Sequence, residues 1–474
     1  MDTVILYSFL ISLLFFMSIG LLAALKRQKN AEDYLLASRD ISPFFAGVSA
    51  AASTASGFAF IGIIGFGYTM GYGGSWFIVG LVLGGLLSTL LIARRFRVMS
   101  QRYKTASYSE YLVSGIKGPT RGIREVLAVI LVVALVLYAA AQLTAGSKAL
   151  NVFFGWDYGA GAILGSLIVI LYCFAGGIRA SIWTDVIQFC VMFVAMGVLL
   201  WVAMRHIGSI ENLTRSLKAI DPKLVTFWPD YKKFGALPFI LGWFALGVSL
   251  IGFPHVMSRL KCVRTPKEAV TATYWYYGTY SAFYVTAYMV AITTRVLLPD
   301  GLSFDPELAL PQMALEYLPS IMVGLILAGI FASTISTTDS LVLATTATIS
   351  RDFVPSQKES YGFLKASTIT VTLVALLIAI YGDKSVFDVV LMSIAIMGAT
   401  FSPLVILRSF RAQPGRLQMF AMVAAGLVTI VIWRGLGWDS EVYDALPGFL
   451  AAVAAYLIWE GVKRLSAENQ APHH

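Results

Sequence analysis

Ser333, Ser336, Thr337 and Ser340 fall at i, i+3, i+4 and i+7 in the apolar stretch LILAGIFASTISTTDSLVLATTATISRDF. That spacing puts four hydroxyls on one stripe of a helix. Such a row either bonds back to carbonyls of its own helix or offers hard, neutral oxygens to an alkali cation stripped of water. Neutral oxygens hold Na⁺ and still let it leave, the balance that every passing ion requires. A second stretch, GVSAAASTASG at 47–57, sets small and hydroxylated residues inside an apolar run. Small residues let neighbouring helices approach closely. Gly57 is followed, however, by Gly62, Gly65, Gly67, Gly71, Gly73 and Gly74, a density that weakens helix continuity. A helix broken at membrane depth is tolerated where it is buried or lines a cavity, and its freed carbonyls can coordinate cations. Carbonyls from such a break and two hydroxyls from the Ser/Thr stripe would form a five-oxygen sodium site.

Two carboxylates lie in or beside apolar segments, where ionisable groups are costly and usually functional. Asp185 is read either as an interfacial helix cap or as a group on an ion pathway. Asp339 lies about 30 Å from the outer end of its helix at ~1.5 Å per residue. It is read as pairing with Arg179 or another inner cation, or as part of a second cation route.

The elements that must position these groups are membrane helices. Of 474 residues, 58% are hydrophobic and 13% charged, whereas soluble domains run nearer 45–50% and about 25%. Thirteen apolar windows of spanning length are found: 4–25, 44–71, 74–96, 123–146, 156–175, 182–204, 236–256, 270–297, 318–347, 363–382, 386–407, 417–434 and 446–463. The predicted fold is an all-α polytopic membrane protein, since no period-2 alternation marks a β-barrel. The first window begins almost at Met1 without a basic leader or cleavage site and is read as a retained helix.

The net charge of +9 fits loop cations better than nucleic-acid binding. Arg94, Arg95, Arg97, Arg102, Lys104, Lys117 and Arg121 follow the third window, and Arg259, Lys261, Arg264 and Lys267 follow the seventh. Asp300, Asp305, Glu307 and Glu316 follow the eighth. The alternation puts the N-terminus outside and the C-terminus inside. Windows 2–6 and 7–11 each hold five spans and open on a Gly- and Ser-containing segment, the second being LGWFALGVSLIGFP. Five is odd, so two halves sharing a fold would be inverted, and matched interruptions point to a transporter site. The expected organisation is one domain. It comprises an extra helix and loop at 1–43, repeats at 44–204 and 236–407, and two further helices with a tail at 408–474. Cys173, Cys190 and Cys262 show no metal spacing, and neither do His206, His255, His473 and His474. No nucleophile–base set suggests an enzyme.

KNAEDYLLASRDISPF, YAAAQLTAGSKAL, FAGGIRASIWTDVIQ and the S-T-x-D-S segment resemble blocks of the sodium/solute symporters over nearly the whole chain. The sodium/proline symporters are closest, and pantothenate carriers are similar around GFPHVMSR and LLPDG. The resemblance implies a 5+5 inverted-repeat (LeuT-like) core. Its sodium site would use main-chain carbonyls of Ala52, Ala55 and Ser333 with the hydroxyls of Ser336 and Thr337. It places Ser53, Thr54, Ser56, Gly57, Phe58, Tyr138, Gln142 and Trp243 around the solute, and Asp185 and Asp339 on the ion pathway. Proline carriers have an acidic residue where this chain has Thr54 and Trp where it has Phe58, departures that bear on the solute rather than on sodium. The expectation is sodium-coupled import of proline or a related amino acid across a bacterial inner membrane, by alternating access. Pantothenate or a monocarboxylate is the alternative solute. A membrane sensor with a transporter fold and a channel are the rivals of other classes. Partners would be Na⁺, a small solute and the lipid bilayer, with no nucleic acid, no organic cofactor and no obligatory oligomer.

Overall fold

A computed structural model describes residues 2–25, 36–105, 107–116, 118–173, 177–299, 304–353 and 361–468. Regular structure among them is helical, with one isolated bridge between Ile41 and Val263. Lys26, Arg27, Lys29, Lys117, Asp300, His473 and His474 lie outside the described residues. Each of the thirteen windows coincides with a helix or an interrupted one. Among the described residues, eight helical segments are long and apolar enough to cross a membrane, or nine if one bent pair counts as a single crossing.

The chain runs through α1 (Thr3–Leu25), α2 (Pro43–Thr54), α3 (Gly57–Phe60), α4 (Gly62–Met70), α5 (Ser75–Arg102), α6 (Tyr108–Val113), α7 (Arg121–Phe154), α8 (Tyr158–Cys173) and α9 (Gly177–Ile207). After α10 (Ile210–Ile220) come α11 (Ala236–Ser249), α12 (Pro254–Lys261), α13 (Pro266–Leu297), α14 (Ala309–Tyr317), α15 (Ser320–Phe353), α16 (Tyr361–Tyr381), α17 (Val386–Ser409), α18 (Arg416–Gly435) and α19 (Ala445–Glu468). Helices α5, α7 and α15 outrun their apolar windows. The windows stop where charge begins, but the helices continue because those charges find partners. Arg97 Nε donates to the Val263 carbonyl at 3.0 Å, and Arg124 Nε lies 2.6 Å from Asp352 Oδ1.

Two of the long windows are interrupted. The second is split into α2, α3 and α4, with Ala55 (φ −76°, ψ 62°) and the extended Ser56 between α2 and α3. The seventh bends by 56° between α11 and α12. Phe253 is extended there, and Pro254 begins the second half, where a missing N–H costs nothing. Small residues set the helix spacing. A Cβ on Gly47 would lie 2.5 Å from the Ala272 carbonyl oxygen and 2.6 Å from Trp275 Cβ, so α2 rests directly on the backbone of α13. Helices α2, α9, α12, α13 and α15 pack around the break.

Candidate functional site

A helix leaves its last four carbonyls without intrahelical partners. At the open end of α2 these are shared out unequally. Thr337 Oγ1, on α15, donates to the Ser53 carbonyl at 3.1 Å, and the Tyr284 hydroxyl, on α13, donates to the Thr54 carbonyl at 3.2 Å. The Ala52 and Ala55 carbonyls accept no backbone N–H among the described residues: Ser56, the next donor for Ala52, is extended, and Ala59 N–H turns to the Ser56 carbonyl instead of Ala55. Among the described residues, two carbonyls at this end of α2 are therefore without a backbone partner. Ser333, Ser336 and Thr337 are fully buried, so the stripe faces protein rather than lipid. The Ser333 hydroxyl donates to the Ile330 carbonyl at 2.7 Å.

Ser336 leads from this place to a charged cluster. Its hydroxyl donates to Asp185 Oδ1 at 2.6 Å. Asp185 Oδ2 accepts from Ser49 at 2.6 Å, from Ser53 at 3.3 Å and from Arg259 Nη2 at 3.1 Å. Asp185 is 0% exposed and Arg259 2%. The reading of Asp185 as an interfacial cap is thus overturned: it is a buried charge in α9, held by groups from α2, α12 and α15. Arg259, counted above with the loop cations, is buried too. Loop cations are solvated, whereas a guanidinium beside a buried carboxylate is kept inside by that charge. Arg259 also touches Ser340 at 2.5 Å, Ser181 at 3.3 Å and Ser49 at 3.2 Å.

On the other side of the break lies a tight pocket, walled by Thr54, Phe58, Tyr138, His255, Tyr280 and Tyr284 with apolar residues of α5, α11 and α17. Gln142 Oε1 accepts the Gly57 N–H at 2.8 Å, and Ser56 Oγ lies 3.2 Å from the Tyr138 hydroxyl. The chain entering α3 is thereby fixed to α7. Gln142 Nε2 and His255 Nδ1 are buried with no partner in the protein. Buried polar atoms are nearly always bonded, so the His255 ring nitrogen, in the cavity wall, marks a place for a polar guest.

Residues 34–414 match the Sodium:solute symporter family. The chain belongs to that family. It is 26% identical over 440 residues to the high-affinity proline transporter PutP of Bacillus subtilis (strain 168), covering 91% of this chain and 92% of the relative. It is 26% identical over 443 residues to the sodium/proline symporter of Escherichia coli (strain K12), covering 90% and 87%. A solved Na⁺-coupled sialic acid symporter, in a substrate-bound outward-open state, shares the fold with a TM-score of 0.81, 20% identity and 96% of each chain covered. The molecule is a multi-pass sodium-coupled symporter, with Na⁺ and a solute as its passengers.

Within the symporter, Ala52 and Ala55 lie at the α2 break, and Thr337 of the buried α15 stripe reaches that break through the Ser53 carbonyl. Thr54, Phe58 and Tyr138 border the cavity, whereas Ser56, bonded to Tyr138, and Gly57, bonded to Gln142, lie outside its wall. Ser53 sits elsewhere, its hydroxyl 3.1 Å from Ser340 Oγ and turned to Asp185. Trp243 stacks on Tyr443 at 5.5 Å and packs against Phe77 at 4.9 Å, one aromatic layer behind the cavity. Asp339 is buried on α15, while the bonds to Asp185 come from Ser49, Ser53, Ser336 and Arg259. Sequence reasoning passed over Tyr276, Tyr280 and Tyr284, although their i+4 spacing was visible. The Tyr276 hydroxyl lies 3.0 Å from Thr54 Oγ1.

Two further spaces flank the site. At the Lys148 end, Gly62, Phe66, Thr69, Lys148, Asp305, Glu307, Phe387 and others line a wider vestibule. Phe387 stacks on Phe58 at 5.5 Å and on Phe66 at 5.0 Å, closing the cavity from it. At the other end, Tyr108, Ser258, Arg259, Lys261, Ser340 and Thr348 are among the walls of a second cavity.

Proposed function

We propose that one Na⁺ binds among the carbonyls of Ala52, Ala55 and Ser333 and the hydroxyls of Ser336 and Thr337, and that it drives import of a small organic solute held in the adjoining cavity. The observation that supports this best is the uneven sharing of the α2 carbonyls. Those of Ser53 and Thr54 are taken by side chains, and those of Ala52 and Ala55 accept no backbone N–H among the described residues. Sodium there would neutralise the carbonyl dipoles and fix the angle between α2 and α3, which sets the cavity floor. Ion and solute binding would then be reciprocally linked. One Na⁺ moving inward gains about 2.3 kcal/mol per 100 mV. The proposed topology is thirteen crossings with the N-terminus outside, two inverted repeats at 44–204 and 236–407, and flanking segments at 1–43 and 408–474. The Lys148 vestibule then opens outward and the Arg259 cavity to the cytoplasm. No organic cofactor, enzymatic step, nucleic acid or oligomer is needed. The membrane would be a bacterial inner membrane.

Proline or a related amino acid is the favoured solute, by the names of the relatives and the small hydroxyl-bearing cavity. Thr54 favours a second reading. Its hydroxyl is tied to the Ala50 carbonyl at 2.7 Å and to Tyr276, so no fixed negative charge meets an ammonium group there. Pantothenate or a monocarboxylate would not need one. Uptake into proteoliposomes under an inward Na⁺ gradient tests both. Proline, other small amino acids, pantothenate and monocarboxylates are compared, with Li⁺, K⁺ and proton gradients as controls. Accumulation of one of them with Na⁺ alone, lost in Ser336→Ala/Thr337→Ala, supports the reading. Accumulation independent of Na⁺ contradicts it.

A further inference from the structure

We propose that Arg259 is a tethered cation which Na⁺ displaces from Asp185 on its way to the cytoplasm, and whose return expels the ion. The inference rests on the sodium site proposed above and concerns what lies beyond it. Ser336 is a ligand of that site, and its hydroxyl also touches Asp185 Oδ1 at 2.6 Å. Ser53 likewise spans both places, with its carbonyl on Thr337 and its hydroxyl 3.3 Å from Asp185 Oδ2. A departing sodium ion therefore meets the carboxylate as its next anionic oxygen. That carboxylate is wholly buried and already paired with the equally buried guanidinium at 3.1 Å. One buried carboxylate compensates one monovalent cation, and a second cation in the same dry place would be uncompensated. The two cations exclude each other at Asp185.

Arg259 has somewhere to go. It forms part of the wall of the second cavity with Ser258, Lys261 and Ser340, away from the solute. It also sits on the half-helix that touches the solute. His255 borders the solute cavity, and Arg259 lies one turn later, its Nη1 donating to the His255 carbonyl. Displacing the guanidinium pulls on α12, which starts at the 56° bend beside the extended Phe253. One short helix thus registers both passengers, and a bend of this kind is where segments swing.

Equilibrium binding of ²²Na⁺ to purified protein tests the proposal. Arg259→Gln leaves Asp185 without its cation, so sodium is held more tightly: the half-saturating concentration is expected to fall at least fivefold. Asp185→Asn/Arg259→Gln, which removes both charges, is expected to return it to within about threefold of the unaltered protein. An Arg259→Gln value equal to or above that of the unaltered protein overturns the proposal. A second measurement needs no substitution. Phenylglyoxal modification of Arg259, followed by mass spectrometry of its peptide, is expected to speed up in Na⁺ relative to K⁺ or choline. A rate that is unchanged or slowed by Na⁺ overturns the proposal even where the variant does not fold. Retention of ²²Na⁺ binding in Ser336→Ala/Thr337→Ala removes the underlying site instead, and the proposal with it.

Discussion

Glu307 is the residue whose change should most simply open the symporter towards the Lys148 vestibule. Its Oε1 accepts the Phe387 N–H at 2.7 Å, and its Oε2 accepts the Val386 N–H at 3.0 Å and Lys148 Nζ at 2.5 Å. Lys148 also reaches Asp305 at 2.6 Å. The carboxylate therefore caps the N-terminus of α17, where a negative charge is favoured, and binds α7 to the segment before α14. Phe387, the residue it fixes, forms the aromatic lid with Phe58 and Phe66. Glu307→Gln keeps the shape and one acceptor oxygen but removes the charge from three bonds. Hydrogen bonds to charged groups contribute about 1.5–3 kcal/mol each, and the amide retains part of that. A loss of about 2 kcal/mol from the closed arrangement is a fair figure, equivalent to roughly a 30-fold shift towards opening at ~1.4 kcal/mol per tenfold. Ile394 is buried in the wall of the solute cavity. An Ile394→Cys reporter in a background lacking other cysteines would read the shift through its labelling by a membrane-impermeant thiol reagent. The expected result is labelling about 30-fold faster with Glu307→Gln, from the Lys148 side alone. Labelling that is unchanged, or faster only from the Arg259 side, would refute the latch.

Ser336→Ala and Thr337→Ala each remove one proposed sodium ligand, and Thr337→Ala also strips the Ser53 carbonyl of its partner. At about 1–3 kcal/mol for an unsatisfied group, each should raise the half-saturating Na⁺ concentration for uptake at least fivefold, measured at fixed solute. Gln142→Leu leaves the Gly57 N–H unpaired and removes an unpartnered donor. It should raise the solute concentration for half-maximal uptake tenfold or more while shifting the Na⁺ curve less, as paired titrations would show. Gly47→Leu forces a side chain into the Ala272 carbonyl and Trp275, and such overpacking costs roughly 1–3 kcal/mol. The folded yield and thermal midpoint in detergent should both fall, whereas Gly278→Ala, facing open space, should leave them unchanged.

The parts of the site carried by local pattern were legible in the sequence. The break after Thr54 could be read from the run of small residues and the glycines behind it, because helix continuity depends on near neighbours. The stripe from Ser333 to Ser340 was equally readable, since its spacing is helical. What brings distant segments together was not. Charge counting put Arg259 in a loop, and only the bend at Phe253 and Pro254 carries it inward to Asp185, 74 residues away. Ser53 was expected at the solute for its place in the break, yet its hydroxyl turns the other way, a choice made by Asp185 and Ser340. The tyrosines of α13 had a legible period, but nothing local says that they face Thr54. Helix ends were misjudged at α5, α7 and α15 because hydropathy marks the edge of the hydrocarbon, not the end of the hydrogen-bonded spiral.

The most direct test of the sodium site is a pair of high-resolution structures of the purified protein, one in Na⁺ and one in choline. A single difference peak is expected, enclosed by the main-chain oxygens of Ala52, Ala55 and Ser333 and the hydroxyls of Ser336 and Thr337. An empty space there in saturating Na⁺, or a helix wound without interruption through Ala55 and Ser56, would contradict the account.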